Sequence, residues 1–156
     1  MGDATPFYYG CAENKLNTKG QVAIPARFRS ALPEEEQSKN FVILRGEQSC
    51  LYMYTHRQFA AIKDNARRVA QETGDSDFFR AFLAEAHAVD LDTQGRFVLP
   101  QQLMKQVGLA GPGVKFVGVD DRIEIWDPAQ YDAVCAGASI YEEQRKNAAK
   151  RIFGGL

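Results

Sequence analysis

Short stretches rich in β-branched and aromatic residues, separated by turn sequences, recur along this chain. FVILR (41–45), CLYMY (50–54), VKFVGV (114–119) and RIEIW (122–126) have this character, which predicts strands. Residues 56–71 and 76–86 carry apolar residues at helical spacing, and the segment from residue 129 is helical with a break near Gly137. The pattern predicts, twice over, strand, turn, strand, short helix, strand, turn, strand and helix.

The second half of the chain repeats the first. LNTKGQVAIP (16–25) corresponds to LDTQGRFVLP (91–100) at an offset of 75 residues, and Tyr54 corresponds to Trp126 at an offset of 72. Two copies are too few for a solenoid, and a single hairpin is marginal in water. We therefore expect one compact β-rich domain whose two halves interlock about a pseudo-twofold axis.

Local signals mark the ends of these elements. Gly20 and Gly95 are expected to supply the positive φ of a tight turn. Pro25 and Pro100 each end a strand and can open a short helix. Thr55 with Gln58 has capping-box spacing, and Asp127 before proline predicts another helix start. We expect the two aromatics that precede these caps to lie in the core or at an interface.

The composition is that of an ordinary folded protein, with 156 residues, 45% hydrophobic and 25% charged. No apolar run approaches the roughly 20 residues of a membrane span, and no secretory signal is visible, so we expect a cytoplasmic protein. Three widely spaced cysteines and two isolated histidines do not suggest a disulfide scaffold or a metal site. We expect neither a metal nor a cofactor.

Charge is unevenly distributed although the net charge is only −1. Residues 15–29 contain Lys15, Lys19, Arg27 and Arg29 and no acid, a local charge of +4 on the first copy of the turn. Such a cluster is either a solvated helix face or part of an anion-binding surface. Arg27 and Arg29 flank Phe28, so this segment could also turn Phe28 inward and make a subunit contact.

The candidate catalytic motifs in this sequence are incomplete or are better explained by structure. GLAGPGVK (108–115) lacks the lysine and hydroxyl spacing of a phosphate-binding loop, and Gly108 is better explained as a helix cap before a Gly-Pro-Gly turn. Asp90 and Asp92 could share a face, but Asp92 stands at the start of the second turn, where its carboxylate can accept backbone N–H bonds. We expect a protein that is not an enzyme and has no small-molecule substrate.

A D-x-x-G-R turn taken alone is more often structural than functional. Here it stands within GCAENKLNTKGQVAIPARFRSAL, GEQSCLYMYTHRQF, FFRAFLAEAHAVDLDTQGRFVLP and GVDDRIEIWDPAQY, in order and in both halves. In this combination the sequence resembles the MraZ family, within the AbrB/MazE-like swapped-hairpin DNA-binding proteins. The resemblance implies a bacterial transcriptional regulator that forms ring-shaped homo-oligomers. It also implies binding to repeated short sites upstream of the division and cell-wall gene cluster that encodes it, and hence nucleoid association.

The resemblance implies an α+β fold, a β-rich pseudo-twofold pair of AbrB-like swapped-hairpin repeats with peripheral α-helices. We expect the first repeat at residues 11–56 and the second at residues 86–129. Peripheral helices are expected at residues 57–85 and 130–156.

Residues matching the family's DNA-contacting turns are candidates for the interface with duplex DNA. In the first copy they are Lys19, Gly20 and Gln21, and in the second Asp92, Gln94, Gly95 and Arg96. Local charge adds Lys15, Arg27 and Arg29 to the DNA-binding set. Asn17 and Asp92 are the expected turn-forming residues.

The first copy departs from the family pattern. Where an acid and an arginine bracket both turns in the family, this copy has Asn17 and Gln21, and Tyr9 replaces an arginine before the first glycine. Gln21 is consistent with a changed operator, because glutamine suits adenine, or with weakened binding. An Asn–Gln pair is a neutral substitute for the Asp–Arg bridge. The alternative function is a ring-forming homo-oligomeric interaction protein that has lost sequence-specific DNA binding.

Overall fold

Apart from one 3-10 helix in the first half, the two halves of the chain contain the same series of elements in the same order. The computed structural model describes residues 7–36, 40–135 and 138–154. The first half comprises β1 (Cys11–Lys15), β2 (Gln21–Ala23), α1 (Ala26–Arg29), a 3-10 helix (Glu34–Glu36), β3 (Phe41–Arg45), β4 (Cys50–Thr55), α2 (His56–Thr73) and α3 (Ser76–Ala84). The second comprises β5 (His87–Val89), β6 (Arg96–Val98), α4 (Gln101–Gln106), β7 (Gly113–Val119), β8 (Arg122–Trp126), α5 (Pro128–Cys135) and α6 (Ala138–Phe153).

This series confirms the predicted element order, with small differences at helix ends. Helix α2 continues to Thr73, two residues beyond the prediction, and α3 ends at Ala84 rather than at residue 86. Gly74 follows α2 with a left-handed φ of 70°, which ends the helix there. The predicted break near Gly137 lies outside the described residues.

The strands of the two halves pair with each other. The main sheet has the order β1-β7-β8-β4-β3-β5, with every neighbouring pair antiparallel. Strand β1 pairs with β7 of the other half, and β5 pairs with β3. The central pair, β4 and β8, places Tyr52 opposite Glu124, and these two residues are related by the 72-residue repeat. The expected α+β fold with two halves interlocked about a pseudo-twofold axis is confirmed.

Strands β2 and β6 form a separate two-stranded ribbon, called here the β2–β6 ribbon. Its inward side chains, Val22 and Phe97, pack on one face of the main sheet, where the Phe97 and Phe116 rings meet edge to face at 6.5 Å. Phe28 of α1 and Leu103 of α4 are buried in the same cluster. The ribbon is therefore held on the sheet by a core to which both halves contribute.

The helices α2 and α5 cover the other face of the main sheet. Tyr54 contacts Phe59 of α2, and Trp126 contacts Tyr131 of α5. Tyr54 and Trp126 are both buried, as predicted. The Thr55 hydroxyl accepts from the backbone N–H of Gln58, and the Gln58 side chain accepts from the backbone N–H of Thr55, both at 3.1 Å. This capping box fixes where α2 leaves the sheet.

Candidate nucleic-acid interface

The first turn is organised by the side chain of Asn17. Its Oδ1 accepts hydrogen bonds from the backbone N–H groups of Lys19 and Gln21, both at 2.9 Å. The Asn17 N–H donates to the Gln21 carbonyl at 2.9 Å, and the Gly20 N–H donates to the Asn17 carbonyl at 3.0 Å. The turn-forming role predicted for Asn17 therefore has a direct geometric basis.

The second turn repeats this arrangement around Asp92. Its Oδ1 accepts from the backbone N–H groups of Gln94 and Arg96 at 2.8 and 2.9 Å. The Asp92 N–H donates to the Arg96 carbonyl at 2.9 Å, and the Gly95 N–H donates to the Asp92 carbonyl at 3.0 Å. The two turns thus share one backbone geometry, although their bracketing side chains differ in charge.

A side-chain hydrogen bond closes each turn, with opposite polarity in the two copies. In the second turn Arg96 Nε donates to Asp92 Oδ2 at 2.9 Å. In the first, Asn17 Nδ2 donates to Gln21 Oε1 at 3.0 Å. The Asn–Gln pair therefore substitutes for the Asp–Arg bridge in geometry, as expected from the sequence.

The backbone N–H of Arg96, together with the Arg96 guanidinium, holds the pKa of the Asp92 carboxyl below its ordinary value. Asp92 is therefore ionised at neutral pH. Its negative charge faces the guanidinium of Arg96, whose Nε donates to Oδ2.

The glycines allow the turns to close. Gly20 has a φ of 75° and Gly95 a φ of 77°, the left-handed conformation predicted for both. Their surroundings differ, since a Cβ on Gly20 would meet nothing within 4 Å. A Cβ on Gly95 would lie 2.9 Å from Nη1 of Arg29. The guanidinium of Arg29, from the first half, lies against the turn of the second half.

The β2–β6 ribbon brings the two turns together. Because Gln21 lies opposite Val98 and Ala23 opposite Arg96, the turns enter the ribbon from opposite ends. Side chains alternate along a strand, so burial of Val22 and Phe97 leaves Gln21, Ala23, Arg96 and Val98 on the outward face. Gln21 and Arg96 are diagonal neighbours on this face, about 7–8 Å apart between Cα atoms by standard sheet geometry.

The remaining candidate residues surround the ribbon unequally. Lys15, Lys19 and Gln94 are exposed. Arg27 turns away from Arg29 and donates from Nη1 to the carbonyl of Cys11 at 3.3 Å. Phe28 between them is 1% exposed, which confirms that this segment packs its aromatic ring inward. The structure thus places Arg29, but not Arg27, against the second turn.

The cationic residues in and beside the first turn have no cationic counterparts around the second turn. At the 75-residue offset Lys15 corresponds to Asp90, Lys19 to Gln94, Arg27 to Gln102 and Arg29 to Met104. Residues 90–104 contain two acids and one arginine, a net charge of −1 against +4 for residues 15–29. In these two ranges the first half carries Lys19 in the turn and three further cations beside it, whereas the second half carries Arg96 alone.

Two features near the ribbon, Val98 and Asn14, were not singled out from the sequence. Val98 is 56% exposed on the outward face, which the alternation of Arg96, Phe97 and Val98 could have indicated. Asn14 Nδ2 donates to the carbonyl of Ala23 at 2.7 Å and ties β1 to the ribbon, a long-range contact with no sequence signal. Tyr9, already noted as a departure, is 68% exposed beside the ring of Phe7.

Within the described part of the chain, no group of three or more His, Cys, Asp or Glu residues is placed to hold a metal ion. None of the helices in those same ranges combines the length and apolar character that crossing a membrane requires.

Comparison with known proteins agrees with the internal repeat. A family model described as "MraZ protein, putative antitoxin-like" matches residues 7–80 and again residues 82–154. The chain is also 32% identical over 138 residues to a protein of Acetivibrio thermocellus named "Transcriptional regulator MraZ". That match covers 88% of this chain and 92% of the relative. This chain belongs to the MraZ family.

Proposed function

We propose that this protein is a sequence-specific duplex DNA-binding transcriptional regulator and not an enzyme. The observation that carries the proposal is the outward face of the β2–β6 ribbon, which presents Gln21 and Arg96 from two matched turns. A two-stranded ribbon fits the major groove of B-DNA, where arginine and glutamine side chains recognise base edges. The relative in A. thermocellus is named a transcriptional regulator, which supports the same function here.

The charges beside the ribbon suit a phosphate backbone. Lys15, Lys19 and Arg27 are exposed, and Arg29 lies against Gly95 of the second turn. We propose that they contact phosphates, while Gly20 and the backbone around Gln94 allow close approach of the turns. Gly95, predicted in the DNA-binding set, is buried beside Arg29 and acts by shaping the second turn. Each phosphate neutralised adds to the salt dependence of binding but carries no sequence information.

We propose that the binding sites are repeated short sequences upstream of the division and cell-wall gene cluster, in a cytoplasmic, nucleoid-associated complex. A ring-shaped homo-oligomer would multiply weak contacts by raising the effective concentration at neighbouring sites. Half-exposed and exposed apolar side chains on the helices support self-association, among them Phe78 and Phe82 of α3 and Tyr141, Ile152 and Phe153 of α6.

The division into repeats at residues 11–56 and 86–129, with peripheral helices at 57–85 and 130–156, is also part of the proposal. It is supported by the position of β1 to β4 within the first range and of β5 to β8 within the second. The DNA-contacting ribbon draws one strand from each.

Fluorescence anisotropy with duplex DNA from upstream of the protein's own gene would test the function. A scrambled duplex of equal length would be titrated beside it, at two salt concentrations. We expect tight binding to the native duplex only, and about tenfold weaker binding by Arg96→Ala because one arginine–base contact is lost. Binding of the native duplex should weaken as salt rises, because the cations beside the ribbon neutralise phosphates.

Arg45→Ala is the matched control, since Arg45 is an exposed arginine paired with a carboxylate, Glu85, at 2.8 Å and lies outside the ribbon and its turns. It should bind like the unsubstituted protein. Equal, weak binding of both duplexes would contradict the regulator function. It would favour the ring-forming interaction protein, the alternative suggested by Gln21 and Tyr9 at the places of two family arginines.

A further inference from the structure

We propose that the two turns of one protomer recognise different base pairs, Arg96 a G·C pair and Gln21 an A·T pair. The inference rests on the proposed function and adds to it the specificity of each turn. It follows from which atoms each turn uses to close itself and which it leaves for DNA.

The amide orientations in the first turn are determined by the hydrogen bonds. Asn17 Oδ1 accepts two backbone N–H bonds, so Nδ2 must be the atom that faces Gln21. Gln21 can accept from this donor only through Oε1. Its Oε1 keeps a second lone pair, and its Nε2 carries two N–H groups on the side away from Asn17. Gln21 therefore offers an adjacent acceptor and donor.

An adjacent acceptor and donor match one base edge in the major groove. Adenine presents the N6 amino donor beside the N7 acceptor, and glutamine bonds to both. Guanine presents two acceptors there, O6 and N7, so the Gln21 carbonyl would face an acceptor. The first turn therefore favours an A·T pair.

The second turn offers only donors. Arg96 Nε is used in the bond to Asp92 Oδ2, and the two Nη groups of the fork extend beyond that bond. Two donors match O6 and N7 of guanine. Asp92 holds the fork by its Nε edge, and 41% of the Arg96 side chain remains exposed.

Both side chains can act within one site. The turns share the same backbone hydrogen bonds and enter one ribbon face from its two ends. Their diagonal separation of about 7–8 Å between Cα atoms is on the order of two base-pair steps of 3.4 Å. The turn closed by the neutral Asn17–Gln21 pair is therefore positioned as well as the turn closed by the ion pair, with a different recognition chemistry.

Selection from a random duplex library with the full-length protein would test this inference. Two double variants exchange the chemistry of the turns, Asn17→Asp with Gln21→Arg, and Asp92→Asn with Arg96→Gln. Each installs in one turn the pair that the other turn already accommodates, so both should fold, which circular dichroism and thermal melting would verify.

We expect the unsubstituted protein to select a site with one A·T and one G·C determinant per protomer. The first double variant should convert the A·T determinant to G·C and leave the other unchanged, and the second should do the reverse. Placing G·C at the A·T position should weaken binding of the unsubstituted protein about tenfold, and the first double variant should reverse this preference.

Selection of the same site by the unsubstituted protein and the first double variant would overturn the inference while leaving the proposed function intact. So would a G·C determinant at both positions for the unsubstituted protein. Absence of any selected sequence for all three proteins, with equal binding to scrambled duplex, would overturn the proposed function together with the inference.

Discussion

The two turns of this protein share a backbone and differ in their side chains. Around Asn17 and around Asp92 the same four backbone hydrogen-bond positions are filled, with lengths that agree within 0.1 Å. One closing pair is neutral, the other ionic. The comparison teaches that the turn is built by an oxygen acceptor and a glycine, so its shape does not depend on charge.

The cationic residues occupy different positions in the two halves because the shape of the turn does not depend on charge. Since the turn geometry does not need an ion pair, the arginine can stand inside the turn, as Arg96 does, or beside it. Arg29 belongs to the first half by sequence but lies against Gly95 of the second. The tertiary structure thus places the cation Arg29 beside the second turn, where the corresponding residue of the second half is the uncharged Met104.

The largest expected loss of stability comes from replacing the glycines of the two turns. Gly20→Ala and Gly95→Ala each force a Cβ into the left-handed region, which costs about 1–2 kcal/mol. Gly95→Ala should lose slightly more, because its Cβ would also push aside the flexible end of the Arg29 side chain, whose Nη1 would lie 2.9 Å away. Urea denaturation would measure the free energies of unfolding.

Gly111→Ala is the control for the glycine comparison. Gly111 does not have a positive φ, and a Cβ there would meet nothing within 4 Å. If Gly95→Ala unfolded at the same urea concentration as Gly111→Ala, the left-handed conformation of Gly95 would have no energetic consequence. Equal losses for Gly20→Ala and Gly95→Ala would mean that the contact with Arg29 has none.

Substituting the residues whose side-chain hydrogen bond closes each turn should change the free energy of unfolding by a smaller amount. Asp92→Asn keeps the two backbone bonds through Oδ1 but turns an amide donor toward Arg96 Nε, so the protein should lose stability, although less than Gly95→Ala does. Asn17→Asp should change the free energy of unfolding by no more than about 0.5 kcal/mol, because the Gln21 amide can rotate and donate.

Combining Asp92→Asn with Arg96→Gln reproduces the first turn and should recover the stability lost by the single change. A double-mutant cycle measures this coupling. Additive effects of the two substitutions would mean that the closing hydrogen bond contributes nothing.

The smallest effect is a difference in pH response. The pKa of Asp92 is lowered from its ordinary 3.8, so the stabilisation it provides is present above that value and is lost as pH falls through the lower folded pKa. Asn17 does not titrate. NMR should show the Gln94 and Arg96 amide signals shifting with a midpoint below 3.8, while the Lys19 and Gln21 signals do not follow it. A midpoint at or above 3.8 would contradict the bonding described for Asp92.

Much of the site could be predicted because its contacts are local. The turn bonds of Asn17 and Asp92 span two to four residues, and a short side-chain oxygen before a glycine is enough to indicate them. The capping box at Thr55 is local in the same way. The DNA contacts nominated for Lys15, Lys19, Arg27 and Arg29 remain predictions.

Other parts of the site depend on contacts between distant residues. Arg27 and Arg29 stand two residues apart on one short helix, yet one guanidinium reaches the Cys11 carbonyl and the other reaches the Gly95 turn. No local pattern distinguishes them. The helical spacing of apolar residues predicts α3 but not its burial, and the structure leaves Phe78 of this helix 40% exposed.

The sequence by itself determined the elements of this protein, their repetition and the shape of both turns, because propensity, capping and turn chemistry act over a few neighbouring residues. Only the tertiary structure decided that β1 pairs with β7, β5 with β3 and β2 with β6. Strand pairing within one half and pairing between the two halves would satisfy the same backbone hydrogen-bonding groups. The observed pairing therefore depends on how both halves bury one shared core. That choice places Gln21 and Arg96 on a single face, where two separate stretches of sequence form one candidate surface for DNA.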